Sequence, residues 1–138
     1  MIIKFFEKNG AMDPNACKSG VYKVSLINSK TKESICLYIG ESEWIAARCG
    51  THLYSLEQDS RLFGLSKDDM DNDNLILEFA VEKSMDKGKS LLGVGEYKKA
   101  ELEAIKNNEP LTQFITSDRQ LNVDKKFNKV QKEIAKWK

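Results

Sequence analysis

The 138-residue chain carries 22 basic and 21 acidic side chains for a formal net charge of +1, so no global field draws it to nucleic acid, and any phosphate-binding surface must be local. Its length suits one domain with its own core; three cysteines, Cys17, Cys36 and Cys49, with no Cys-x-x-Cys pair, argue against zinc and for a reducing compartment. Met1-Ile2-Ile3-Lys4 is charged too early for a secretory signal and no apolar run approaches a membrane span, so a cytoplasmic protein with no membrane partner is expected.

In chain order, residues 2–6 are predicted to form an edge strand, and residues 10–19 a loop that turns at Asp13-Pro14-Asn15. A β-rich run from Gly20 to Ile27, a turn-rich stretch Asn28-Ser29-Lys30-Thr31-Lys32-Glu33 and a second β-rich run from Ser34 to Gly40 read as an antiparallel hairpin. Ser42 is the expected N-cap of a following helix with Trp44, Ile45, Ala47 and Leu53 at apolar positions and a weak point, bend or restart at Gly50. Residues 59–73 are polar and anchored by Leu62, Phe63 and Leu65, with a short helix opened by Ser66-Lys67-Asp68-Asp69.

Residues 74–81 are dense in apolar side chains and suit a central strand covered on both faces. A loop over residues 84–95 with Lys87 and Lys89 leads to a helix over residues 96–107. Residues 124–138 put Phe127, Val130, Ile134 and Trp137 on one helical face, among six lysines and two acids. Such a helix either packs on the body, tracks a nucleic-acid backbone or binds a partner, with packing on the body the simplest of the three.

Two strings stand out: Gly20-Val21-Tyr22 at the start of the first hairpin strand and Tyr38-Ile39-Gly40 at the end of the second. Antiparallel pairing lets Tyr22 and Tyr38 meet at one end of the sheet. Arg48 and His52 follow at i, i+4 spacing, hence on one helical face. Glu101 lies on the later helix, upstream of Pro110; Glu96 and Glu103 compete with it, although Glu103 lies about 200° away around the helix.

In this order the motifs resemble the GIY-YIG nuclease domain family over about residues 20–113. The chain differs from the family in a longer hairpin loop and in Gln113, which stands where an asparagine often follows the proline. The resemblance implies an α/β (α+β) fold with a small, mainly antiparallel central sheet flanked by helices. Residues 1–19 would then be a strand and loop packed on the domain, 20–113 the catalytic core and 114–138 a basic amphipathic C-terminal helix.

The implied function is a metal-dependent endonuclease that hydrolyses DNA phosphodiester bonds through tyrosine-assisted activation of water. Glu101 would hold Mg2+, with Mn2+ able to substitute, since magnesium commonly takes one or two carboxylates and keeps several waters. Arg48 offers a planar, permanently charged fork for phosphate oxygens. Tyr22 would be the general base; its unperturbed pKa of about 10 requires nearby cations or a relay, for which His52 is placed. Tyr38 would position water or phosphate. Lys23 falls on the opposite strand face and has no assigned role.

Read without the resemblance, the tyrosines also suit ordinary strand aromatics, and Arg48 a surface ion pair. The rival functions are a nucleic-acid-binding module without turnover, and a protein-interaction domain that docks through Phe127, Ile134 and Trp137. RNA as substrate would use the same residues. DNA is the expected partner, with a homodimer or a partner protein engaged through the C-terminal helix.

Overall fold

The computed structural model describes residues 1–85, 94–113 and 119–137, the last two segments with side chains from 98 and 123 onward. The expected Lys87 and Lys89 loop and the Glu96 side chain lie outside the described residues. The strands are β1 (Ile2–Phe5), β2 (Glu7–Lys8), β3 (Ala11–Met12), β4 (Ser19–Asn28), β5 (Ser34–Ser42) and β6 (Leu75–Met85). The helices are α1 (Ile45–Gln58), the single turn α2 (Lys67–Met70), α3 (Val94–Asn108) and α4 (Arg119–Ala135).

A four-stranded sheet runs β1-β6-β4-β5, with β1 parallel to β6 and the other two pairings antiparallel; β2 and β3 form a small separate hairpin. The fold is mixed α/β. The first strand is thus integral to the main sheet, because Ile2 to Phe5 pair with Ile76 to Phe79. Asn28 sets the β4–β5 turn: its side-chain oxygen accepts from the Lys30 amide at 3.0 Å while its own amide donates to Glu33 at 2.9 Å.

Strand alternation divides the core. Val24, Leu26, Leu77 and Phe79 point to the face covered by Ile45, Cys49 and Leu56 of α1 and Val130 and Ile134 of α4. Val21 and Ile39 point to the other face, under Ala100 and Ala104 of α3, whose small side chains let the helix sit close. Full burial of a Val or Ile contributes about 1.5–3 kcal/mol, so the few residues under α3 hold it far less strongly than the larger cluster holds α1 and α4.

Three sequence expectations change. The helix after the hairpin begins at Ile45, because β5 pairs as far as Ser42, opposite Gly20. Ser42 therefore closes a turn: its hydroxyl accepts from the Trp44 amide at 3.1 Å and donates to the Trp44 carbonyl at 3.0 Å, while the Trp44 side chain is left 58% exposed. α1 also runs unbroken through Gly50, which faces open space. Finally, β6 is central but its second face is only half covered, since Ile76, Glu78 and Ala80 are partly exposed while α3 packs on β4 and β5.

The C-terminal helix packs on the body. Val130 is fully buried and Ile134 nearly so, and Trp137 packs against the same core. Gly64, in left-handed conformation with φ +74, is the contact point: a Cβ there would overlap Val130 Cβ and Cγ2.

Candidate active site

Register builds the first half of the site. Tyr22 pairs with Gly40 and Val24 with Tyr38, so the two tyrosines are diagonal neighbours across β4 and β5. Between Val24 and Ser25 the register jumps, Ser25 pairing with Cys36, and Leu37, just before Tyr38, is left as the extra residue of a bulge. The bulge lets Leu37 and Tyr38 both pack against the large core, while Cys36 and Ile39 face α3. Gly40 is needed for another reason: the Tyr22 ring lies across it, and a Cβ would overlap Tyr22 Cζ and Oη.

The second half comes from α1. His52 Nε2 lies 2.7 Å from Tyr22 Oη. The rings of Tyr22, Tyr38 and His52 have centroids 5.5–6.2 Å apart, and Phe63 stands edge-on to Tyr38 and His52 at 6.4 and 5.7 Å. Arg48, one turn before His52, lies near both tyrosine hydroxyls and lowers the pKa of each. Phe63 was legible only as a core anchor; its place against His52 depends on the turn after α1 folding back.

Electrostatics alter the expected division of labour. Burial, with Tyr38 and Cys49 adding to it, raises the Tyr22 pKa strongly, and the opposing pull of Arg48 is weaker. Tyr22 is therefore a neutral phenol here, and of the two alternatives, cations that favour its phenolate or a relay, the first is not met. Burial, then Arg48 and Lys126, push His52 down to about 4, so at neutral pH the imidazole is uncharged, and in the Nδ1–H tautomer its Nε2 accepts a hydrogen bond from Tyr22 Oη.

This has a measurable consequence for stability. Because the folded pKa of His52 lies below its ordinary 6.5, the unfolded chain binds the extra proton first as pH falls. The stability associated with the neutral ring is fully present above pH 6.5 and is lost as pH falls toward about 4. Urea denaturation across that window is expected to show a loss on the order of 2 kcal/mol, less than the full shift implies because the ring is partly solvated. His52→Gln should flatten the dependence; an equally steep profile in that variant would refute the assignment.

Glu101 reaches the same site from α3. It is 12% exposed, pairs with Lys98 at 3.2 Å, and its charge contributes to raising the Tyr38 pKa. Glu103 is exposed. A carboxylate not anticipated from sequence joins it: Glu41, directly after Gly40, has a pKa raised by burial and then by Glu101. Among the described residues, Glu41 Oε2 is a buried oxygen with no hydrogen-bond partner. No cluster of three metal-ligating side chains occurs among the described residues, so any cation here would draw on one or two carboxylates.

The segment after α3 ties that helix to β5. The Leu111 and Thr112 amides donate to the Cys36 and Leu37 carbonyls at 3.0 and 2.8 Å, and the Thr112 hydroxyl donates to Leu37 at 2.6 Å. Gln113 Oε1 accepts from the Ile39 amide at 3.1 Å, so the glutamine makes a contact to the backbone between Tyr38 and Gly40. On the far face Lys23 approaches Glu82 at 3.9 Å, away from the tyrosine hydroxyls.

No protein-family model, curated protein or solved structure matches this chain. Among the described residues no helix is long and apolar enough to cross a membrane.

Proposed function

We propose that this chain is a metal-dependent endonuclease of the GIY-YIG type, acting in the cytoplasm on DNA. The observation that carries the reading is the 2.7 Å pairing of Tyr22 Oη with an uncharged His52, beside Tyr38, Arg48 and Glu101. These five side chains come from two strands and two helices.

The relay balances its protons. As water attacks phosphorus, its proton passes to Tyr22 Oη while the Tyr22 proton passes to His52 Nε2. The new P–O bond forms from water, and the P–O bond to the leaving strand breaks, its oxygen taking a proton from solvent. Tyr22 is only 1% exposed, which disfavours direct attack by the tyrosine on a bulky substrate. Tyr38, half-buried beside it, orients that water or the phosphate. Arg48 binds the non-bridging oxygens, where negative charge develops.

A divalent cation fits the carboxylate end. Glu101 and Glu41 repel one another, and an orphaned Glu41 oxygen has lost its hydration without gaining a donor. Mg2+, or Mn2+ in its place, would be held by Glu101 with Glu41 beside it, and when bound would neutralise charge on the scissile phosphate and its leaving oxygen.

One observation favours the rival binding module. Lys98 already pairs with Glu101, as a resident positive charge would in a site that never takes a metal. The partner-docking reading has less support, because Ile134 lies in the protein's own core.

Incubation of supercoiled plasmid with and without Mg2+, using wild type and Arg48→Ala purified in parallel, separates these readings. We expect nicking by wild type only with the metal, and a rate about 10²–10³-fold lower for Arg48→Ala. Equal nicking in both preparations, or intact plasmid and intact single-stranded and branched DNA throughout, would overturn the nuclease reading.

A further inference from the structure

The C-terminal helix does more than cover the core. Lys126 precedes the fully buried Val130 by four residues, so helical geometry puts it on the docked side, while Lys125, Lys129 and Lys132 stand exposed. Its side chain is half-buried.

The helix around it is clamped to the segment after α1. Asp124 pairs with Arg61 at 3.0 Å, and the Arg61 guanidinium lies 4.7 Å from the Phe127 ring centroid. The Gln131 amide donates to the Gly64 carbonyl at 2.9 Å and to Asp69 at 2.6 Å. That segment also carries Phe63, whose ring touches His52 and Tyr38. The clamp thus brings Lys126 toward the His52 side of the site, close enough for its charge to act on the imidazole.

The neighbouring acids are engaged elsewhere: Asp124 with Arg61, Asp69 with Ser66 and Gln131, Glu133 with Lys136. Among the described residues no carboxylate forms an ion pair with Lys126. A half-buried ammonium with no carboxylate paired to it keeps its donors for an incoming phosphate.

We infer that Lys126 is a substrate-binding residue, supplied by α4, that contacts a DNA backbone phosphate on the His52 and Phe63 side of the site. The inference rests on the nuclease reading and extends it: the C-terminal helix becomes part of the substrate site. The exposed lysines on its outer face are not required for this contact.

The test is binding of a fluorescent DNA duplex to the full chain in EDTA, measured by anisotropy over a range of salt concentrations. Lys126→Gln is expected to weaken binding several-fold and to reduce the slope of log affinity against log salt by about one phosphate contact, ~0.9. Lys126→Arg should keep both affinity and slope, which a merely structural role for the lysine stem would not require. Lys30→Gln, in the turn at the far end of the β4–β5 hairpin, is the charge-matched comparison and should behave as wild type. If wild type binds with a normal salt slope and Lys126→Gln matches it, the Lys126 contact is wrong and the nuclease reading stands. If wild type shows no salt-dependent binding, the Lys126 contact is likewise wrong, and the plasmid assay with Mg2+ decides the nuclease reading by itself.

Discussion

Replacing Glu101 by alanine is expected to cut metal-dependent cleavage by at least ~10³-fold while leaving the fold intact. The side chain contributes little to the core: it sits on the rim of α3, whose packing rests on Ala100 and Ala104. Its loss removes the carboxylate best placed to hold a cation near Tyr38 and leaves Lys98 unpaired. Glu41→Gln should have a smaller effect, about tenfold in apparent magnesium affinity, because the amide keeps the shape but loses the charge. Calorimetric titration with Mn2+ provides a readout independent of turnover: weaker binding in both variants, and most in Glu101→Ala, is expected. Glu101→Ala with activity within tenfold of wild type would place the metal elsewhere.

Gly40→Ala is the second large effect, and it acts through shape alone. The added methyl has no room beside the Tyr22 ring, so the ring must move and draw its hydroxyl away from His52. A displacement of about 1 Å costs on the order of 10² in rate, and the crowding roughly 1–3 kcal/mol in stability. Tyr22→Phe is the informative comparison, since it deletes the hydroxyl and keeps the ring. Both variants should lose activity and some stability in urea, Tyr22→Phe through the lost hydrogen bond to His52 and Gly40→Ala through crowding. A fully active Gly40→Ala would show that the position of Tyr22 does not matter to the chemistry.

Features encoded locally were legible in the sequence. The hairpin follows from two β-rich runs around an Asn28 turn, and Arg48 and His52 share a face because four residues make about one helical turn. The helix start was misplaced because the pairing of Ser42 with Gly20 extends β5, and no capping preference reports a strand partner 22 residues earlier. The choice left open for Tyr22, between cations that favour its phenolate and a relay, could not be made from sequence for a related reason. Charge can be counted along a chain, but the burial that outweighs Arg48 arises only when α1 and β5 close over the ring. Glu41 and Lys126 escaped notice since their meaning lies in distant neighbours, Glu101 for one and His52 for the other.

The clip formed by Leu111, Thr112 and Gln113 also bears on how two copies could associate. β5 is a terminal strand, and such a rim ordinarily offers its free backbone groups to any strand that drifts past. Here the carbonyls of Cys36 and Leu37 and the amide of Ile39 are already engaged from within the same chain. Sheet-to-sheet joining along that stretch would first have to peel the clip away, and with it the segment that anchors the helix of Glu101. Along Cys36 to Ile39, then, β5 is closed to a second copy's strand.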